Sequence, residues 1–151
     1  MQLIHPEKIL QTQRLLLEPL KQHHAFLLYP ILQDSQIYGY ISQEPPISIE
    51  TLRHRYQKLE RRLSPTDDEA WLNWAVCLKS SRQFIGRVEA SISSKKSAYA
   101  YIFGSQFWNS GYATEASRQV LQVLFDDYKV IEFIAQVDTR NQASIRVVRK
   151  A

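Results

Sequence analysis

The run Phe107-Trp108-Asn109-Ser110-Gly111-Tyr112-Ala113-Thr114-Glu115-Ala116 holds the residue types and spacing best suited to chemistry. It follows a strand-like segment, residues 98–103, and opens a helix-like one, residues 114–128. A strand, a small-residue turn and a helix start together make an anion site. The first backbone N–H groups of a helix have no partner inside it, and its dipole favours negative charge there. Gly111 lets a ligand approach the backbone closely, and Ala113 keeps the wall low. The spacing is Trp-x-x-Gly-x-Ala, which on its own describes the start of many ordinary helices.

The rest of the chain must position that turn. Residues 12–20 read as a strand with Leu15 and Leu17 alternating with Leu16 and Glu18, and residues 21–29 read as a short helix interrupted by Pro30. Ser48 has the character of an N-cap for a helix carrying Ile49, Leu52, Tyr56, Leu59 and Leu63 at three- and four-residue steps. Residues 71–78, 84–93 and a third segment with Tyr99, Tyr101 and Phe103 form a strand meander. The helix 114–128 presents Ala116, Val120, Val123, Leu124 and Phe125 to a core. A strand over 130–137 and a last helix capped by Asn141 and running to Lys150 complete the order. This predicts an α+β fold, a mostly antiparallel sheet with helices on both faces, in one domain spanning 1–151.

Composition narrows the function classes. With 151 residues, 44% hydrophobic and 23% charged, the chain can build one globular core. It has no apolar stretch of bilayer length and no signal-peptide pattern, and Cys77 has no second cysteine to pair with. A cytoplasmic location is expected. The net charge of +4 favours polyanions, but the basic run Arg53, Arg55, Lys58, Arg61, Arg62 reads as the solvated face of a helix. No nucleic-acid motif accompanies it, and nucleic acid is not expected as a partner. His23, His24 and His54 read as surface residues, and no His, Cys or Asp cluster has ligand spacing, so no metal is expected.

The loop resembles the acetyl-CoA diphosphate loop of the GNAT superfamily of N-acyltransferases, in the RimJ/RimL-like wording Trp-x-x-Gly-x-Ala-Thr-Glu-Ala. Thr12-x-Arg14-Leu15-x-Leu17-x-Pro19-Leu20 is similar to that branch's opening strand. Ile85-Gly86-x-Val88 is similar to its third strand, and Asp138-Thr139-x-Asn141-x-x-Ser144 to the start of its last helix. The resemblance implies an acetyl-CoA-dependent N-acetyltransferase acting by direct attack of a primary amine, from a protein N-terminus or a small molecule. Its alternative is a catalytically inactive CoA-binding module with a regulatory or interaction role.

The resemblance also implies the cofactor contacts: Trp108, Asn109, Ser110, Gly111, Tyr112, Ala113 and Thr114 around the diphosphate, backbone groups of Tyr101, Ile102 and Phe103 along the pantetheine arm, and Asn141 and Ser144 beside it. Asn141 reads equally as a plain helix cap. Gly104 and Ser105 stand where the family often has a proline. Val148 stands where many members carry a tyrosine acid, and Ala98–Tyr101 where many carry a glutamate base. Glu89, on the neighbouring strand, is the substitute base, with a salt-bridged surface residue as its plainer reading. Family members continue with two more strands after the point where Arg149-Lys150-Ala151 stands, so the chain is expected to be a truncated form. A second copy is a candidate to cover the gap as a homodimer.

Overall fold

Leucines, aromatics and β-branched residues crowd the segments that become strands, while Ser48, Gly111 and a few left-handed residues punctuate them. The computed structural model describes residues 9–39 and 43–135. The order is β1 (Leu10–Gln11), β2 (Leu15–Pro19), α1 (His24–Leu28), α2 (Ile49–Leu59), β3 (Ala70–Leu78), β4 (Phe84–Ser93), β5 (Lys96–Phe103), α3 (Tyr112–Tyr128) and β6 (Glu132–Ala135). Short 3-10 turns lie at Ile31–Gln33, Ser35–Gly39 and Ser105–Phe107. The six strands form one sheet in sequence order, antiparallel from β1 to β5, with β6 parallel to β5.

Successive strand residues point to opposite faces, and β3 shows the consequence. Trp74 joins Leu15, Leu17, Val88, Tyr99 and α3 residues Ala116, Val120 and Leu124 in one core. The next residue, Ala75, joins Leu20, Leu28, Leu52 and Tyr56 in a second core under α1 and α2. The helices therefore cover both faces, as expected for the α+β class. Because both faces are covered, Leu16 is buried along with Leu15 and Leu17, and the alternation expected in β2 does not translate into exposure. Residues 12–14 lie outside β2 and form the turn from β1, with the Thr12 N–H on the Leu15 carbonyl.

Three other expectations change. Phe125 is 55% exposed, because the buried stripe of α3 runs through residues 116, 120, 123 and 124 and Phe125 falls beside it. Leu63 lies beyond α2. That helix starts as expected, the Ser48 hydroxyl taking the Thr51 N–H at 3.0 Å, but it ends at Leu59. Arg62 then turns the chain with φ 60°, and Leu63 bridges to Ala70 instead. Arg62 is itself buried, so the basic run is not wholly a solvated face.

The β3–β4 hairpin contains a bulge. Val76 faces Gly86 and Cys77 faces Phe84, leaving Ile85 as an extra residue with no opposite number. The extra residue lets Ile85 join the core under α3 while its neighbour Phe84 packs against the core under α1 and α2. The last helix, with Asn141, Ser144 and Val148, lies outside the described residues, as does the strand expected beyond Ala135. No helix among the described residues is long and apolar enough to cross a membrane.

Candidate functional site

The loop between β5 and α3 is built as an open helix start. α3 begins at Tyr112, two residues earlier than the sequence indicates, so Tyr112, Ala113 and Thr114 form its first turn. Gly111 is the N-cap, with φ 83° and no side-chain capping bond, and the first intrahelical bond runs from the Glu115 N–H to the Gly111 carbonyl at 3.0 Å. The N–H groups from Gly111 to Thr114 therefore have no acceptor in the helix. Asn109, Ser110 and Gly111 are exposed. Two residues of the loop are left-handed, Asn109 (φ 63°) and Gly111. For Asn109 that conformation costs about 1 kcal/mol, so the loop must be held by its surroundings.

Two braces hold it. From the inside, the Trp108 indole N–H donates to the Phe103 carbonyl at 2.9 Å, tying the loop to the end of β5. From the outside, Arg14 reaches over from the turn before β2. Its Nη1 donates to the Ser110 carbonyl at 3.0 Å and its Nε to Glu115 Oε1 at 2.7 Å. The backbone N–H of Arg14 donates to Glu115 Oε2 at 2.8 Å, and the Thr12 hydroxyl donates to the same oxygen. The guanidinium lies 4.3 Å over the Tyr112 ring. Burial alone pushes the Glu115 carboxyl up, but the Thr12 hydroxyl and the Arg14 donors outweigh it and hold it below the usual range. Thr12 and Arg14 carry no chemistry recognisable in isolation, and their partner lies 101 residues away from Arg14, so the sequence marks them only as part of a motif.

The β5 register separates the three expected pantetheine contacts. The Gly104 N–H bonds the Ile85 carbonyl at 3.0 Å across the Gly86–Phe103 pair. In an antiparallel ladder this directs the N–H and C=O of Ile102 toward β4 and those of Tyr101 and Phe103 away from it. Of the three, Ile102 thus presents its side chain and not its backbone. Among the described residues, β6 pairs only with Lys96 to Tyr99, the half of β5 remote from the loop. Past β5, Asp34 accepts from the Ser105 N–H at 2.7 Å and from its hydroxyl, linking the segment after α1 to the foot of the loop. The Ser105 hydroxyl is the main reason that the Asp34 carboxyl sits below its usual range.

Glu89 lies on the other side of the sheet, under α2. It faces Asn73 on β3 and Ala100 on β5, and its carboxylate takes Arg87 Nη1 at 2.9 Å. It lines a cleft of about 420 Å³ with Glu69, Trp71, Asn73, Ala98 and Ala100. Glu89 is thus both salt-bridged and beside open space, on a central strand and not at an edge.

His24 is the clearest departure from expectation: it is 1% exposed. Its Nδ1 accepts the Lys21 N–H at 2.9 Å and its Nε2 meets Glu18 at 2.9 Å, and burial lowers its pKa despite that carboxylate. Glu18, His23 and His24 place ligand-type atoms within 4.8 Å of one another, a grouping that local spacing did not reveal. Both His24 nitrogens are already occupied there, which makes the trio a structural tie between β2 and α1.

Residues 14–151 match the family model described as an acetyltransferase (GNAT) domain. A 50-residue stretch is 40% identical to the uncharacterized protein YkkB of Bacillus subtilis (strain 168), spanning 33% of this chain and 29% of that protein. Among solved structures, the fold is similar to an acetyltransferase (GNAT family) from Bacillus anthracis, with a TM-score of 0.77 and 21% identity over 95% of this chain and 81% of that one. It is also similar to RimL, the ribosomal L7/L12 alpha-N-protein acetyltransferase, in complex with coenzyme A. There the TM-score is 0.80 and the identity 15%, over 95% of this chain and 82% of that one. A third is the ribosomal-protein-S5-alanine acetyltransferase of Vibrio fischeri, with a TM-score of 0.79 and 15% identity over 94% and 80%. At these identities the structures speak for the fold.

Proposed function

The chain belongs to the GNAT acetyltransferase family, and from that premise we propose that it moves the acetyl group of acetyl-CoA to a primary amine of a protein N-terminus or small molecule in the cytoplasm. The observation that carries the reading is the uncapped start of α3. The exposed residues Asn109–Gly111 and the N–H groups of Gly111 to Thr114, which have no acceptor within the helix, fit a diphosphate, which supplies the negative charge that a helix start favours. The Tyr101 backbone and the Phe103 N–H, directed away from β4, support pairing with an extended arm, while the Phe103 carbonyl is already held by the Trp108 indole. Asn141 and Ser144 complete the contacts that the resemblance implies.

Bound acetyl-CoA supplies a thioester carbon open to attack. The amine nitrogen forms a bond to that carbon as the carbon–sulfur bond breaks. The amine must arrive neutral and shed a proton, and the departing thiolate must gain one. Glu89 is the proposed base, and its place beside the cleft supports that role. RimL and the Vibrio fischeri enzyme are named for acting on ribosomal proteins, which makes N-terminal peptides the first acceptors to try.

One observation favours the second reading, a CoA-binding module without catalysis: the Glu89 carboxylate is held by Arg87. The test is calorimetric titration with acetyl-CoA, then thiol release with a panel of N-terminal peptides and small amines. Release with any amine supports the enzyme. Binding without release on the whole panel favours the module, and no binding overturns both.

A further inference from the structure

We propose that Arg14 is the positioning residue of the donor loop: by holding the Ser110 carbonyl it aims the Gly111 N–H at the diphosphate. The ligand in this proposal rests on the functional reading above, whereas the geometry stands without it.

A single side chain serves four residues of the loop and helix start. Arg14 Nη1 holds the Ser110 carbonyl, and Nε holds Glu115. The guanidinium covers the Tyr112 ring, and Nη2 lies 3.2 Å from where a Cβ on Gly111 would stand. The peptide between Ser110 and Gly111 is planar and trans, so its C=O and N–H point in opposite directions. With the carbonyl turned toward Arg14, the Gly111 N–H is turned away from it, out of the brace. Nothing at the N-cap competes for this role, since Gly111 offers no side chain and α3 has no capping bond.

Glu115 explains why the brace is cationic. A carboxylate in the first turn of an anion-binding helix repels the anion unless it is neutralised and turned aside. Thr12 and the two kinds of Arg14 donor take up its oxygens and draw it toward the N-terminal segment. Glycine at position 111 then has two causes: its φ of 83° and the closeness of Nη2 to its missing Cβ. The distant stretches Thr12-x-Arg14 and Thr114-Glu115-Ala116 form one device.

The test compares R14Q and R14K with the unaltered chain in two measurements. The first is hydrogen–deuterium exchange in the ligand-free protein at Trp108 and Glu115, the amides at the two ends of the loop, which bond the Ser105 and Gly111 carbonyls. The second is affinity for acetyl-CoA and for S-acetylpantetheine, which lacks the diphosphate. In R14Q, exchange in the loop should rise and acetyl-CoA affinity fall, each about ten-fold. S-acetylpantetheine affinity and exchange in residues 120–128 should hold. R14K should fall between, because one ammonium cannot reproduce the fork that reaches both Ser110 and Glu115, and it carries the exchange measurement should R14Q not fold. Unchanged loop exchange overturns the brace, and so do equal losses for both ligands, which a merely structural role would give. An unaltered chain that does not bind acetyl-CoA overturns the functional reading instead, and loop exchange alone then decides the brace.

Discussion

Replacing Gly86 by alanine should destabilise the fold even though alanine is the better residue for an unfolded-state argument. Gly86 lies opposite Phe103. An added Cβ would stand 2.3 Å from the Ile102 carbonyl oxygen and 2.7 Å from Phe103 Cδ1. The first contact falls roughly 1 Å short of ordinary packing distance. The oxygen belongs to a backbone whose register directs it into the β4 ladder, and the Phe103 ring is buried in the core under α3. Neither can step aside locally, so the end of β5 must move. Overpacking of this kind costs about 3 kcal/mol at the upper end, and alanine returns about 1 kcal/mol through lower chain entropy. The net is about 2 kcal/mol, or roughly 4–8 °C in melting temperature for a chain of this size. Urea unfolding, followed by circular dichroism, reads it as a lower midpoint with an unchanged slope. Acetyl-CoA affinity should fall as well, since the displaced strand end carries the loop. A Gly86→Ala protein as stable as the parent, or more so, refutes the close-approach argument and leaves only the entropy gain.

Other outcomes follow from single contacts. Trp108→Phe keeps the ring but removes the N–H bonded to Phe103, and should cost about 1 kcal/mol in unfolding experiments while weakening acetyl-CoA binding. If Glu89 is the base, Glu89→Gln should cut kcat about a hundred-fold or more at constant acetyl-CoA KM; a kcat within a few-fold of the parent assigns Glu89 to Arg87 alone. His24 is buried in its neutral form with a lowered pKa, whereas the unfolded chain takes up a proton near the ordinary imidazole value of 6.5. Its contribution to stability is therefore present above that pH and lost as pH falls below it toward the folded-state pKa. Melting temperatures between pH 7.5 and 5 should drop less for His24→Gln, which does not titrate, than for the parent; parallel curves would show that another group controls the acid limb.

The meander was legible because each of its strands reports itself locally. β4 occupies the Phe84–Ser93 span read from sequence, and the Ser48 cap stands where its type and neighbours put it. The loop was legible for the same reason, its residues being consecutive. What escaped was tertiary. β2 shows no alternation because helices on both faces bury Leu16 with its neighbours, a fact of layer order that a single strand does not encode. His24 reads as a surface residue until Glu18 and the Lys21 N–H are seen to satisfy both ring nitrogens. Phe125 lies one residue past the buried stripe of α3, and the edge of a stripe depends on where the sheet ends beneath it. Arg14 and Glu115 could each be assigned a bland local role, and only the fold joins them.

The bulge at Ile85 carries a consequence for how this hairpin tolerates changes in length. Its extra residue sets which of two neighbours, Phe84 or Ile85, enters which core, and the same Ile85 carbonyl anchors the Gly104 N–H at the foot of the loop. Deleting one residue within β4 after Ile85, or within β5 before Gly104, would exchange inside for outside along that strand and slide the anchor by about 3.3 Å, more than a hydrogen bond can span. The hairpin thus works as a ruler whose zero mark is Ile85. In descent, insertions and deletions have a permissive place in the turn at residues 79–82, where the residues are exposed. Within the two strands between the bulge and the loop, length is as constrained as the identity of any side chain.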